Sequence, residues 1–281
     1  MPINIPAGKH IDISLRSLPA DYQMASMQMS TDHYNIGYTI SGDRLTITPL
    51  QSYENHAGDV AMLPPFTYHR TISISDTVYV SYLIKFTPDF IAPFFDFIGK
   101  NIFDELYEQK VCHFTPETQQ KIEKMFQEML YEFQKDTEYK EVILQGMLFR
   151  LFTTIWENRL QGGAVSFPSP LSEPIIHAIY HIEKNYAQKI TLESIAKELG
   201  FSTAYFSRLF KSQLGMSFSE SLNNSRINHA QTLLARTDKS IMDIAMETGF
   251  CHGDYFATQF KHKTGMTPSE FRKNTKTASL I

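Results

Sequence analysis

Residues 195–211 read IAKELGFSTAYFSRLFK, and residues 244–261 read IAMETGFCHGDYFATQFK, the same pattern with one residue inserted. A pattern that recurs within one chain predicts a structural unit that recurs. In each copy an alanine precedes a glycine by four positions, as Ala196 precedes Gly200. Alanine lets two helices approach closely, and glycine readily adopts the left-handed conformation that ends a helix. The repeat therefore predicts two helix pairs, each joined by a tight turn.

The second helix of the first copy has an apolar face and a polar face. Ser202 is placed to cap its start, and Phe206, Leu209 and Phe210 form a stripe that faces the core. The opposite face carries small, polar or basic side chains, which suit the major groove of DNA. These side chains are Thr203, Ala204, Ser207, Arg208 and Lys211. Arg208 is placed for a bidentate contact to guanine, and a merely solvated helix face is the alternative interpretation.

The second copy presents a weaker version of the same face. Tyr255, Phe256 and Phe260 take the core positions. The outward positions, which we predict to contact DNA, are His252, Gly253, Asp254, Ala257, Thr258 and Lys261. Asp254 accepts from a cytosine amino group or compensates the helix dipole, and the middle of the face holds no arginine. We therefore expect the second unit to read sequence less strongly than the first.

The segment between the copies, residues 217–236, reads as one continuous helix. About 18 residues at ~1.5 Å each span roughly 27 Å. Successive major grooves on one face of DNA lie ~34 Å apart, so one chain is able to occupy two adjacent grooves. The positions predicted to face inward are Phe218, Leu222, Ile227, Ala230, Leu233 and Leu234.

The charge of the chain is distributed unevenly. The 281 residues carry a net charge of −4, but residues 1–170 hold 13 basic and 20 acidic side chains, whereas residues 171–281 hold 13 and 10. The basic excess coincides with the repeat. Cys112 and Cys251 lack ligand spacing, which favours two buried or half-buried free thiols without disulfide or metal. The sequence shows neither a membrane span nor a secretion signal, so we expect a cytoplasmic protein.

The first half of the chain changes from β to helical texture. Residues 20–90 contain several short alternating runs, typical of antiparallel strands in a small barrel or sandwich. Helices are predicted from Thr115, an N-cap, to about residue 160. The second of these, about 141–160, is apolar over a wide arc, which indicates either an ordinary buried helix or a dimer seam. Residues 161–172, rich in Gly, Pro and Ser at their start, are predicted to be a linker.

Residues 174–273 resemble the AraC/XylS family of transcription regulators. The signature is carried by GFCHGDYFATQFKHKTGMTPSEFR at residues 249–272, and Arg226 to Leu234 resembles the connecting helix of that family. The resemblance implies two helix-turn-helix units, a double-stranded promoter DNA as partner, and a contact to RNA polymerase. Thr258 stands where many members have arginine, which again predicts weaker base reading by the second unit.

The N-terminal half resembles the cupin sensor of AraC-type regulators. GDVAMLPPFTYH at residues 58–69 is similar to the second cupin motif, with Phe66 in place of its inner glycine, but the first motif retains only His33. Two histidines are too few for a catalytic metal site, so we expect no metal, no cofactor and no enzyme activity. A binding barrel needs only a lined cavity. Candidate effector residues are His33, Tyr38, Arg44, His56, His69 and Tyr82.

Together these patterns predict an α+β protein with a cupin-like β-barrel, a helical dimerisation segment and an all-α domain. The expected boundaries are 1–160 for effector binding and dimerisation, 161–172 for the linker and 173–281 for DNA binding, with helix-turn-helix units at about 192–214 and 241–264. The expected function is a homodimeric activator that responds to a small polar effector such as a sugar. Two alternatives stay open: a barrel that only dimerises, and a cupin enzyme fused to a DNA-binding domain.

Overall fold

The structure is a computed structural model that describes residues 5, 9–29, 33–98, 100–160 and 166–277. It divides into two compact units. Unit 1 comprises His10–Met24 and Ser30–Ser169, and unit 2 comprises Ala25–Met29 and Pro170–Ile281 as its main parts. Antiparallel sheets dominate the start of the chain and helices its end, which confirms the predicted α+β class.

Unit 1 contains two antiparallel sheets. The strands are β1 (Ile11–Leu18), β3 (Tyr34–Ser41), β4 (Arg44–Ile47), β5 (Gln51–Asn55), β6 (Val60–Leu63), β7 (Tyr68–Ser73), β8 (Tyr79–Phe86), β9 (Val111–Cys112) and β10 (Ser166–Pro168), while the two-residue β2 is Gln28–Met29. Sheet A has the order β1-β8-β3-β6-β9, and the strands of the other sheet within unit 1, sheet B, have the order β10-β5-β4-β7. Among the described strands, β4 and β5 are paired through a short turn, whereas β1 with β8, β3 with β8 and β3 with β6 are pairs of strands that do not follow each other in the chain.

Four helices accompany the sheets of unit 1. They are α1 (Pro88–Ile98), α2 (Lys100–Gln109), α3 (Pro116–Gln134) and α4 (Lys140–Asn158). The predicted cap of α3 is confirmed, because the Thr115 hydroxyl accepts from the Thr118 N–H at 3.4 Å and Pro116 follows at the first helical position. Proline is tolerated there since that N–H has no partner within the helix.

The apolar core of unit 1 lies between sheet A and the helices. Directly opposed residues of neighbouring strands point to the same face of a sheet. Ile13, Ile84 and Ile36 are opposed across β1, β8 and β3, and all are buried in the same cluster as Phe126 and Phe152 of α3 and α4. One face of sheet A therefore supplies the hydrophobic stabilisation of this unit.

The other face of sheet A is polar. Arg16 and Thr39 lie on either side of Ser81 in the strand register, and Asp12 lies opposite Lys85. Thr39, Ser81 and Lys85 are nevertheless buried, with Lys85 only 7% exposed. Buried polar side chains on one strand face indicate a lined interior that differs from an ordinary aliphatic core.

Hydrogen bonds connect this polar face to sheet B. Asn55 of β5 donates to Thr39 Oγ1 at 2.8 Å, and that oxygen lies 3.2 Å from the Tyr79 hydroxyl. Arg44 of β4, opposite Asn55 in register, places its Cζ 4.3 Å from the centroid of the Tyr79 ring. The two sheets thus face each other across a layer of polar side chains.

Unit 2 is helical in its main part. Its helices are α5 (Glu173–Asn185), α6 (Leu192–Glu198), α7 (Thr203–Leu214), α8 (Phe218–Arg236), α9 (Ile241–Glu247), α10 (Gly253–Thr264) and α11 (Pro268–Thr277). The long α8 packs against α5 and α7 on one side and against α9, α10 and α11 on the other. Because α8 packs against five other helices, Ser221, Ser225 and Asn228 are buried along with its apolar residues.

Three sequence expectations differ from the structure. Tyr255 is 49% exposed and accepts a hydrogen bond from Asn223 at 3.1 Å, so its expected core position is wrong. Cys251 is exposed because it lies in the turn before α10, whereas Cys112 is buried in β9. Ser166–Pro168, inside the predicted linker, pairs with β5 at the edge of sheet B, where a proline is tolerated. Residues 161–165 of that linker lie outside the described residues.

The wide apolar arc of α4 is largely occupied within unit 1. Its residues in the common core are Leu144, Leu148, Leu151, Phe152 and Ile155. Helices α1, α2 and α3 all pack against α4, which accounts for an arc broader than one partner requires. Val142 and Ile143 remain exposed, at 67% and 41%.

Candidate nucleic-acid interface

Helix α7 separates a buried stripe from an exposed polar face. Phe206, Phe210 and Leu214 recur every four residues and are buried. All five side chains predicted to contact DNA from this helix, Thr203, Ala204, Ser207, Arg208 and Lys211, are exposed. Residues three and four positions apart share a helix face, so these side chains form one continuous surface.

The turn before α7 sets the angle between α6 and α7. Gly200 adopts a φ of 76°, and the Phe201 N–H donates to the Ala196 carbonyl at 2.8 Å. This left-handed glycine ends α6 in the way the repeat predicts. The Ser202 hydroxyl then accepts from the Tyr205 N–H at 3.4 Å, which confirms the predicted N-cap of α7.

Helix α10 repeats this arrangement with a different surface. Gly249 has a φ of 85°, and the Phe250 N–H donates to Ala245 at 2.9 Å. The predicted contact residues His252, Asp254, Thr258 and Lys261 are exposed, whereas Gly253 and Ala257 are half-buried. The Thr258 hydroxyl donates to the Asp254 carbonyl at 2.9 Å within its own helix, so its hydrogen is already used.

Arg226 of α8 contacts both the chain between α5 and α6 and the second helix pair. Arg226 donates from Nε to the Tyr186 carbonyl at 2.7 Å and from Nη2 to the Gln188 carbonyl at 2.9 Å. Its Cζ lies 5.7 Å from the centroid of the Phe250 ring in the second helix pair. Burial lowers the pKa of Arg226, yet the side chain remains a cation at neutral pH. Arg226 therefore ties the second helix pair to the chain between α5 and α6.

The basic side chains on the exposed faces of α7 and α10 are available for a ligand. Within the described residues, Arg208, Lys211 and Lys261 have no carboxylate within 4.0 Å. The two recognition-type helices, each preceded by a shorter helix and a glycine turn, define a class: a DNA-binding protein with two helix-turn-helix units.

The candidate effector residues of unit 1 fall into separate groups. Tyr38 and Tyr82 lie on the helix side of sheet A, where their rings are 5.8 Å and 6.1 Å from the ring of Phe126. His56 is exposed and its Nδ1 lies 2.9 Å from an Asp43 oxygen. The structure therefore does not bring these three side chains to the layer between the sheets.

His33, Arg44 and His69 form the other group. Burial, reinforced by the charges of Lys85 and His69, lowers the pKa of His33 to about 3. Burial also lowers the pKa of His69, with Arg16 and Arg44 acting in the same direction. These electrostatic effects connect His33, Arg44 and His69 with Arg16 and Lys85.

Arg16 and Lys85 were missed by sequence reasoning. Lys85 is the one charged residue of the largely apolar strand Tyr79–Phe86, whereas Arg16 lies in Ile11–Leu18, which alternates apolar and polar side chains. The lone charge at Lys85 was the available signal, since a lysine is rarely buried without a partner. Phe66 retains a left-handed φ of 55° at the position where the cupin motif has glycine.

The described residues contain no group of three metal-ligating side chains, and no helix among them is long and apolar enough to cross a membrane. These two observations concern only that part of the chain.

Comparison with known proteins places the C-terminal half in context. Residues 195–274 match the model of a family described as a helix-turn-helix domain. Over 107 residues the chain is 38% identical to the bifunctional transcriptional activator/DNA repair enzyme AdaA of Bacillus subtilis, covering 38% of this chain and 51% of that protein. The chain therefore spans about half the length of this curated relative.

Solved structures give similar matches. The C-terminal domain of AraT, a response regulator from Geobacillus stearothermophilus, is 38% identical over 37% of this chain and 88% of that chain, with a TM-score of 0.36. A structure of ToxT from Vibrio cholerae is 17% identical over 95% of this chain and 98% of that chain, with a TM-score of 0.44. Residues 195–274 are therefore a helix-turn-helix domain of the AraC type. The curated relative that shares this region is a transcriptional activator by name.

Proposed function

We propose that this protein is a cytoplasmic, homodimeric activator that binds promoter DNA through α7 and α10 and acts with RNA polymerase. Its functional boundaries are those expected from sequence, 1–160 for effector binding and dimerisation, 161–172 for the linker and 173–281 for DNA binding. The observation that carries the proposal is the face of α7. Phe206, Phe210 and Leu214 are buried in the core, while the five neighbouring side chains predicted to contact DNA are exposed.

Within this proposal the two recognition helices differ in what they read. Arg208, exposed and without an ion-pair partner among the described residues, contacts a guanine edge, with Thr203 and Ser207 beside it. Ala204 permits close approach, and Lys211 binds the phosphate backbone. On α10, Lys261 binds phosphate, whereas His252, Gly253, Asp254, Ala257 and Thr258 form a surface that selects sequence less strongly. The Thr258 hydroxyl already donates its hydrogen to the Asp254 carbonyl, which limits the contacts that Thr258 makes with a base.

Unit 1 binds a small polar effector in the layer between its sheets. The polar burial of Thr39, Ser81 and Arg44 supports this assignment, because an interior that served only stability would be apolar. Of the six candidate effector residues, His33, Arg44 and His69 are the ones that we retain as contacts. An effector shifts promoter occupancy only by its difference in affinity between the DNA-bound and free states.

Dimerisation involves the exposed apolar positions of the α3–α4 region. Tyr131, Tyr139, Val142 and Ile143 are each more than 40% exposed and lie within one short stretch of chain. A charged substitution, Val142→Glu, should lower the dimer fraction in analytical ultracentrifugation, with Lys121→Gln as control. A dimer fraction that Val142→Glu leaves unchanged would remove this surface from the proposal.

The test of the proposed function is a footprint of the full-length protein upstream of its own gene across a salt series. Two protected major grooves per protomer, lost together in Arg208→Ala, are the expected result. Protection confined to one groove would contradict the role of α10. An absence of protection at low salt, with and without cell metabolites, would contradict the DNA-binding proposal as a whole.

A further inference from the structure

Arg44 is a buried cation with unused hydrogen-bond donors. It is 5% exposed, and its Cζ lies over the rings of Tyr22 and Tyr79, 5.1 Å and 4.3 Å from their centroids. Its Nε and Nη2 are buried without a hydrogen-bond acceptor among the described residues. Burial lowers the pKa of Arg44, although the two tyrosines partly oppose that shift. A buried ion with two unpaired donors destabilises a protein unless a further group compensates it.

The two unpaired nitrogens lie on the same edge of the guanidinium. Nε–H and one Nη2–H point in parallel, and this fork matches two oxygens of a carboxylate or a phosphate. The rings of Tyr22 and Tyr79 lie over the planar guanidinium of Arg44 and hold its plane fixed. Arg44 is therefore oriented for an anion that the chain itself does not provide within its described residues.

The surroundings of Arg44 are also positively charged. The charge of Arg16 contributes to the lowered pKa of Arg44, and the charge of Arg44 contributes to the lowered pKa of His69. The charge of Arg16 also lowers the pKa of Lys85. Asp12 acts on Lys85 in the opposite direction. The positive charge of Arg16 beside that of Arg44 favours an anionic ligand at Arg44.

The uncharged lining specifies the rest of the ligand. Asn55, Thr39 and Ser81 are buried hydrogen-bonding groups in the same layer, whereas the aromatic and aliphatic core lies on the other side of sheet A. Such a lining favours hydroxyl groups over an extended hydrocarbon chain.

We propose that unit 1 binds a small hydroxylated anion, a carboxylate or a phosphate, whose oxygens pair with the Nε–Nη2 edge of Arg44. This inference rests on the proposed effector binding by unit 1 and defines the chemical class of that effector. It narrows the small polar effector predicted from the sequence, such as a sugar or its derivative, to an anion.

The test is thermal unfolding of the full-length protein, followed by the fluorescence of Trp156, the single tryptophan, which lies in unit 1. The probes are acetate, inorganic phosphate, glucuronate and glucose, each compared with sodium chloride at equal ionic strength. At about ten times its Kd, an anion that binds stabilises the folded state by about 1.4 kcal/mol and should raise Tm by about 3–6 °C. Comparing the Tm increase from acetate with that from phosphate distinguishes the two types of anion. Comparing glucuronate with glucose isolates the effect of the ligand's charge, because the two molecules have nearly the same shape.

The variants decide whether Arg44 is responsible. Arg44→Gln should abolish the Tm increase. If Arg44→Gln does not fold, Arg16→Gln is the second test: it leaves the Arg44 guanidinium intact and should reduce the Tm increase. Lys121→Gln, an exposed cation of α3, should retain the full increase. An increase from glucose equal to that from glucuronate, an increase that survives Arg44→Gln, or no increase from any anion would overturn the proposal.

DNA binding separates this inference from the proposed function. The same preparations are titrated against a fluorescent DNA duplex at low salt. Unchanged binding together with no anion response overturns only the anionic effector, and stabilisation by glucose alone retains an effector of the neutral class. Failure of the wild-type protein to bind DNA would contradict the proposed function whether or not the anions bind.

Discussion

The two helix-turn-helix units should respond unequally to the same substitution at their turn glycines. Gly200 and Gly249 both have a left-handed φ, of 76° and 85°. Alanine in that conformation costs ~1–2 kcal/mol, of which ~0.4–1 kcal/mol is offset by the reduced freedom of the unfolded chain. The backbone conformation alone therefore predicts a loss of about 1 kcal/mol at either position.

The surroundings of the two glycines differ. An added Cβ at Gly200 meets no atom within 4 Å, whereas at Gly249 it meets the Ala187 and Tyr186 carbonyl oxygens at 2.9 Å. Backbone atoms cannot rotate away as a side chain can, and such overpacking costs roughly 1–3 kcal/mol. We expect Gly249→Ala to lower the free energy of unfolding by about 2–4 kcal/mol and Gly200→Ala by about 1 kcal/mol.

The assay is urea denaturation of the full-length variants, followed by helical circular dichroism. Trp156 fluorescence serves as an internal reference, because unit 1 contains neither glycine and its transition should not move. Equal losses at the two glycines, or a larger loss at Gly200, would refute the reasoning from the contacts of the second turn.

Three further predictions follow from individual side chains. Arg226→Lys should destabilise unit 2 by about 1–2 kcal/mol in urea, because lysine cannot donate to both the Tyr186 and Gln188 carbonyls; a neutral result would contradict the role of this clamp. His33 has its pKa lowered below the unfolded value of 6.5, so its stability contribution is present above pH 6.5 and is lost toward pH 3, and His33→Gln should flatten the fall in Trp156-monitored stability over that range. Hydrogen bonds from Ser217 lower the pKa of Glu220 from 4.5, so its contribution is lost as the pH falls through the folded value; Glu220→Gln should weaken the acid sensitivity of unit 2, and an unchanged pH profile would argue against this cap.

Local signals in the sequence predicted the helical part of the chain well. Gly200 and Ser202 act through their immediate neighbours, one by a left-handed turn and the other by a cap, so their roles can be deduced from a few residues. The same holds for Thr115 at the start of α3. Tyr255 was misplaced because helical spacing fixes its angle around α10 but not the width of the surface that α8 covers.

The proposed ligand site was harder to predict because alternation does not identify the interior. Along β3, one face packs on helices and the other on a second sheet, and both are buried. Tyr38 and His33 therefore looked equally suitable, although the structure places Tyr38 against Phe126. Lys85 enters the site through strand pairing with β1, which depends on residues about 70 positions apart in the chain.

The most direct test of the central claim, sequence-selective DNA binding through α7, compares Arg208→Ala with Lys261→Ala on the footprinted site and on a random duplex. Fluorescence anisotropy across a salt series measures both affinities. Arg208→Ala should lose ~1–3 kcal/mol on the specific site and little on the random one, whereas Lys261→Ala should weaken both alike and lower the salt slope by about one. Equal losses on the two duplexes for Arg208→Ala would contradict base reading by α7.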